Sequence, residues 1–196
     1  MKVSPDGHYI TATGIYPPTI KLFETRELSM KCLRGVDSEV VNFCYLDEDY
    51  RKIAFACWDR NIEIHAQYGK HYKIRVPKTP RDLIFNQFTC DLLISASSND
   101  IFRLSLDEGK FLQSFSTKIE NVNKLQHNKS LDLLLAAGDK GVVEFWDYQN
   151  LKKTGLKVLN DGAEITSLTL DPSSSFLYYV GSADGRVRLY DLRYDG

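Results

Sequence analysis

ITSLTLDPSSSFLYYVGSADGRVRLYD, residues 165–191, carries every signal needed to read the fold. A strand-like run, ITSLTL, leads into the polar turn DPSSS, and a second run, FLYYV, into the tight turn GSADG. A third run, VRLYD, ends in an aromatic residue and an acid. Strand formers in runs of this length, bounded by Gly, Pro, Asp and Ser, read as a meander of antiparallel strands. Working outward, the third run recurs along the chain as IKLFE (20–24), IEIHA (62–66), IFRLS (101–105), VEFWD (143–147) and VRLYD (187–191), with last residues 42, 39, 42 and 44 positions apart. A second, independent marker is a bulky residue expected in the first strand of each unit: Met1, Phe43, Phe85, Leu125 and Leu168, spaced by 42, 42, 40 and 43. No amphipathic helix interrupts this rhythm.

The period lies in the ~40 to 45 residue range of the WD repeat, whose unit is four antiparallel strands forming one propeller blade. The expected fold is therefore an all-β, WD-repeat-type β-propeller with about five four-stranded blades, part of a seven-bladed ring. The units run approximately 1–35, 36–77, 78–118, 119–160 and 161–196. Together they form a single domain, 1–196, incomplete at both ends, with a five-bladed ring as the alternative. Second strands such as LDLLLAA (131–137) are apolar on both faces, as expected for strands sandwiched between neighbouring blades. The structural positions of the blades are Phe23, His65, Trp146 with Asp147, Asp184, and Tyr190 with Asp191. Trp146 and Tyr190 are expected to wedge between blades.

Composition narrows the function. The chain has 196 residues, 43% of them hydrophobic, enough to fill a core. Lys plus Arg number 25 against 26 for Asp plus Glu, so no global field draws nucleic acid or an anionic membrane. No apolar run approaches the ~20 residues that span a bilayer, and no signal peptide precedes the first strand, so no membrane partner is expected. Cys32, Cys44, Cys57 and Cys90 stand 12, 13 and 33 residues apart, without the close pair of a structural zinc site. They read as reduced, partly buried thiols of an intracellular protein.

Catalytic motifs are missing. His8, His65, His71 and His127 have no metal-binding spacing, and no nucleophile elbow or phosphate-cradling glycine loop occurs. His65 occupies the aromatic slot of its repeat and reads as a hydrogen-bonded packing residue. SADG (182–185) resembles the Asp-box of glycosidase propellers but lacks the Thr-Trp that would follow, so it reads as a turn. No enzyme activity, cofactor, metal or small-molecule substrate is expected.

One charged stretch stands out. YGKHYKIRVPKTPRD (68–82) contains Lys70, Lys73, Arg75, Lys78 and Arg81 and no acid before its end. Tyr72, Ile74 and Val76 alternate with Lys73 and Arg75, as in a strand with one covered and one charged face. Fourth in its blade, it is an outer edge. Either these cations discourage edge-to-edge aggregation, or they contact RNA phosphates or an acidic partner. Five cations on single-stranded RNA would give a log–log salt slope of about −3.5. Asp37, Glu39, Asp47, Glu48 and Asp49, around the first strand of the second unit, read as solvated turn residues.

The segments KVSPDGHYITATGIYPPTIKLFET (2–25), DSEVVNF (37–43), DRNIEIHAQYGKHYKIRVPK (59–78) and VRLYDLR (187–193) resemble the N-terminal propeller of the nucleolar protein ten family, called essential nuclear protein two in yeast. The likeness covers almost the whole chain, and Tyr16-Pro17-Pro18 and the His-bearing strand 62–65 are its most specific parts. It implies a nucleolar, non-catalytic subunit of the small-subunit processome, which assembles and processes precursor ribosomal RNA. Its implied partners are other processome assembly factors, with precursor ribosomal RNA as a further contact. The repeats do not carry the Gly-His dipeptide usual in WD units, Gly7-His8 lying in the turn after VSPD, so the generic WD hydrogen-bond network is not expected. A peptide-binding adaptor outside ribosome assembly is the alternative. The resemblance maps no contact onto 70–81, and that assignment rests on charge and position alone.

Overall fold

The computed structural model describes residues 1–158 and 162–194. Among them the regular elements are β-strands and one short 3-10 turn at Asp139–Gly141. The chain forms two compact units, Met1–Gln87 and Phe88–Gly196. The first holds β1 (Lys2–Val3), β2 (Tyr9–Gly14), β3 (Thr19–Glu24), β4 (Ser29–Gly35), β5 (Val40–Tyr45), β6 (Lys52–Cys57), β7 (Asn61–Ala66), β8 (Gly69–Arg75) and β9 (Pro80–Asn86). The second holds β10 (Asp91–Ala96), β11 (Asp100–Ser105), β12 (Lys110–Ser116), β13 (Val122–Asn128), β14 (Leu133–Gly138), β15 (Val142–Asp147), β16 (Lys152–Val158), β17 (Ile165–Leu170), β18 (Leu177–Ser182) and β19 (Val187–Asp191).

The repeat maps onto the strands as the spacing requires. The five recurring runs are β3, β7, β11, β15 and β19, each the third strand of its meander. Phe43, Phe85, Leu125 and Leu168 lie in the first strands β5, β9, β13 and β17, whereas Met1 falls one residue before β1. Neighbouring strands pair antiparallel in chain order, as in β1-β2-β3-β4, β5-β6-β7-β8 and β13-β14-β15-β16. The last sheet, β17-β18-β19, has three strands rather than four, because Leu192–Tyr194 form no further strand. The expected boundary at 160/161 lies outside the described residues.

Burial follows strand position. All six residues of β10 are buried, as are Ile53–Cys57 of β6 and Leu134–Gly138 of β14. A strand paired on both edges and covered on both faces has little polar surface to offer, hence its largely apolar sequence, with Asp91 and Ser95 of β10 as buried polar exceptions. In the first unit Ile20 packs with Val40, Phe43, Ile53, Phe55 and Cys57. In the second, Leu135, Ala137 and Val143 pack with Ile165, Leu168, Tyr178 and Val180. Gly138 permits a close approach, since a Cβ there would stand 2.0 Å from the Asn121 carbonyl oxygen.

The slot residues divide. His65 and Trp146 are buried, and Trp146 meets Phe115 of β12 edge-on at 5.8 Å. Tyr190 is only half-buried, and Phe23 likewise. Tyr178 enters the apolar cluster beside Phe145, and Tyr190 stacks on it at 5.5 Å and packs against the same cluster. For Tyr190 the reason is topological: β19 is the edge of its sheet, whereas Tyr178 sits on the middle strand. Asp147, Asp184 and Asp191 each accept backbone N–H groups two residues on, from Gln149, Arg186 and Arg193, so they fix the turns.

All four third-to-fourth strand pairs among the described residues carry a register shift, and in three of them it falls at the same place. A β-bulge falls after Leu22 in β3, after Ile64 in β7 and after Phe145 in β15. It leaves Lys31, His71 and Thr154 as the extra residues of β4, β8 and β16. A bulge breaks the alternation of side chains and re-aims them locally. In β8 this decides what the surface displays.

Candidate functional site

Strand β7 buries an acid. Glu63 is 2% exposed, and its Oε1 lies 2.6 Å from the Lys70 Nζ and 3.3 Å from the Lys73 Nζ, both on β8. Its Oε2 faces the His65 Nε2 at 3.3 Å. Asp37 accepts from both ammonium groups at 3.2 Å, and Asp59 stands 3.7 Å from Lys73. Burial pushes the Glu63 carboxyl up, but the Lys70 ammonium and the His65 ring, followed by Lys73, hold it below its ordinary value of 4.5. The same bonds raise both lysines, Lys70 mainly through Glu63 and Lys73 mainly through Asp37. Burial lowers His65 below 6.5, outweighing the pull of Glu63.

Two residues of the basic run are thus turned back onto their own sheet. Asp37, read from sequence as a solvated turn residue, is their anchor. Arg75 and Lys78 are exposed, and neither forms an ion pair among the described residues. Arg81 belongs to the next strand, β9, where it is half-buried. The five positions therefore do not form one charged face.

A sixth cation joins the outward pair. Arg60 is exposed in the β6–β7 turn, and its carbonyl accepts the Val76 N–H at 2.8 Å, beside Arg75, whose own partner in register is Asn61. Sequence reasoning missed it because it is 15 residues from Arg75 and follows Asp59 directly. Only the hairpin register brings the two arginines together.

The same strand displays aromatic rings. Tyr72, expected on the covered face, is 58% exposed, and Tyr68 is 76% exposed. The His71 ring lies between them, 4.1 Å from the Tyr72 centroid and 5.8 Å from that of Tyr68, edge-on to both. The Tyr68 hydroxyl is 2.6 Å from the His71 Nδ1. Consecutive residues of a regular strand point to opposite faces. His71 and Tyr72 meet because His71 is the extra residue of the bulge. The turn carrying Tyr68 is clamped by Arg34, which donates to the carbonyls of Ala66 and Gln67, and by the Gln67 amide on the Tyr50 hydroxyl.

Among the described residues no three His, Cys, Asp or Glu side chains gather to hold a metal. Burial pushes the Cys44 and Cys57 thiols up to about 12, which makes them inert. The arrangement offers rings, cations and structural ion pairs.

The profile of the family described as "Nucleolar protein 10-like, N-terminal domain" matches residues 1–196. The chain belongs to that family. Its fold class is accordingly that of a β-propeller, consistent with the repeated antiparallel sheets. Nucleolar protein 10 of Homo sapiens is 38% identical over 100% of the chain and 30% of its own length. Nucleolar protein 10 of Xenopus laevis is 38% identical over 98% of the chain and 29% of its length. Ribosome biogenesis protein ENP2 of Saccharomyces cerevisiae is 35% identical over 98% of the chain and 28% of its length. The chain thus spans about 30% of the length of the curated relatives it matches.

Proposed function

We propose that the protein is a non-catalytic scaffold of ribosome biogenesis, working in the nucleolus within the small-subunit processome. The observation that carries this reading is a likeness extending over the whole chain to relatives named for the nucleolus and for ribosome biogenesis. The chemistry agrees with it. Of the four buried acids among the described residues, Glu63, Glu144 and Asp91 are each tied to a cation of the same unit, Lys70, Lys153 and Arg103 respectively, and Asp82 accepts from the Asn42 amide and the Leu83 N–H, as fits a packing role. The partners are other assembly factors and precursor ribosomal RNA. No cofactor, membrane or small-molecule substrate enters the reading. Residues 1–196 act as one propeller domain, since the 40-residue step from Phe85 to Leu125 carries the repeat across both compact units.

The test is affinity capture of the tagged full-length protein from cells at low and high salt. Enrichment of precursor small-subunit RNA and processome subunits supports the scaffold. Recovery of a few signalling or degradation partners without ribosomal precursor overturns it in favour of a peptide-binding adaptor.

A further inference from the structure

We propose that the outer edge of β8 is a stacking platform for unpaired RNA bases, with Tyr68 and Tyr72 facing the bases and Arg60, Arg75 and Lys78 meeting backbone phosphates. It rests on the ribosome-biogenesis reading for the source of the RNA and on the geometry of β8 for everything else.

The first argument is the bulge. The equivalent pairs at the other two bulges are Lys31 with Cys32 and Thr154 with Gly155, neither of which offers a ring. Lys31 is also engaged, bonding the Tyr9 hydroxyl and Glu24. Of these three strands, β8 is the one in which the irregularity brings two consecutive rings to one side and leaves them in solvent. Rings exposed to this degree contribute little to the core, so packing does not account for them.

Order is the second argument. Arg34 and Gln67 hold the turn, and the Tyr68 hydroxyl and His71 hold each other. A platform set in advance loses little freedom when a ligand lands on it.

The third is charge. Glu63 and Asp37 hold Lys70 and Lys73, leaving Arg60, Arg75 and Lys78 as the outward cations at the far end of the strand. Exposed rings followed along one strand by cations are the composition that binds single strands, because every base presents a π-face whatever its sequence. An acidic peptide could meet the same cations but would leave the exposed faces of Tyr68 and Tyr72 without a partner.

The experiment measures binding of the full-length protein to a labelled twelve-nucleotide oligouridylate and to an RNA duplex of equal length. Tyr72→Ala and Tyr68→Ala should each weaken single-strand binding roughly tenfold. Tyr72→Trp should restore it, and duplex binding should not change. Three phosphate contacts give a log–log salt slope of about −2 for this edge, and ultraviolet cross-linking should attach uridine to the peptide containing 68–75. Unchanged oligonucleotide affinity in the Tyr68→Ala, Tyr72→Ala double variant overturns the proposal. So does a Tyr72→Trp variant as weak as Tyr72→Ala, or tyrosine-dependent binding of a polyglutamate peptide in place of RNA. If the protein captures precursor RNA from cells yet shows no tyrosine dependence on the oligonucleotide, this inference falls and the scaffold reading stands. Tyrosine-dependent binding without capture of precursor means the reverse.

Discussion

In β15 the buried carboxylate of Glu144 accepts from the Trp146 Nε1 at 3.1 Å and from the Lys153 ammonium at 2.6 Å. In β7 the carboxylate of Glu63 meets the His65 ring and the Lys70 ammonium at 3.3 and 2.6 Å. Both glutamates stand two residues before the slot residue, and in both sheets the lysine lies opposite that residue across the bulge. The two sheets therefore share one device: a buried acid linking the third strand's ring to the fourth strand's cation. They differ in the ring, in the number of cations and in what the bulge displays. Trp146 adds a large buried indole, whereas His65 adds a titrating group. Glu144 has one lysine, whereas Glu63 has two. The lesson is that one repeat can conserve its internal wiring while its outer strand is free to diverge.

Removing the ring breaks the comparison most sharply. Trp146→Ala should cost about 3 to 5 kcal/mol of unfolding free energy, read from denaturant midpoints. His65→Ala removes a smaller ring and a buried hydrogen bond, about 1 to 3 kcal/mol. Equal losses would mean that the two slots do not differ in packing as the burial of the indole implies.

Next come the cations. Lys153→Met strands Glu144 without its ammonium, a change worth about 3 kcal/mol by the usual penalty for half of a buried pair. Lys70→Met should be milder, about 1 kcal/mol, because the Lys73 ammonium remains within 3.3 Å of the same oxygen. If Lys70→Met proves the more damaging, Lys73 is not sharing the charge of Glu63.

Acid should separate the sheets without mutation. His65 has a lowered value in the folded state, so its contribution is present above 6.5 and is lost as pH falls below that and the unfolded chain takes up the proton. Glu63 is also lowered, so its contribution is present above 4.5 and is lost as pH falls through its folded-state value. Both act in the same direction, and Trp146 has nothing to titrate. Hydrogen exchange, corrected for intrinsic rates, should show β6–β8 opening more readily at pH 5.5 than at 7.5, with β14–β16 changing less. His65→Phe should remove the part of the difference that begins at 6.5.

Gly138→Ala is the packing control. Its methyl would collide with the Asn121 carbonyl oxygen, so the backbone must shift and β14 should lose exchange protection. Gly7 has a positive φ of 74° but open space around it. Alanine there meets no atom and bears only the conformational penalty, about 1 kcal/mol or more.

Much of this was legible in the chain. The period of the IKLFE-to-VRLYD runs located every third strand, because strands with buried faces must repeat their apolar pattern with the sheet. His65 was legible as a packing residue from its slot. The depth to which Tyr190 is buried was not, because the same pattern occurs in a middle-packed and in an edge-exposed strand. The basic run was visible as composition, but its partition was hidden: Lys70 and Lys73 meet Asp37 only through a separation of more than thirty residues.

The sequence by itself determined the all-β class, the repeat and the strand order within each sheet, since these follow from local alternation and a regular period. Tertiary structure decided which cations face solvent, which ring is wedged in the core, and that His71 and Tyr72 share a side. Those outcomes depend on register and on a single-residue bulge. Shifting one strand by one residue reverses every side chain beyond it, and no local composition records that shift.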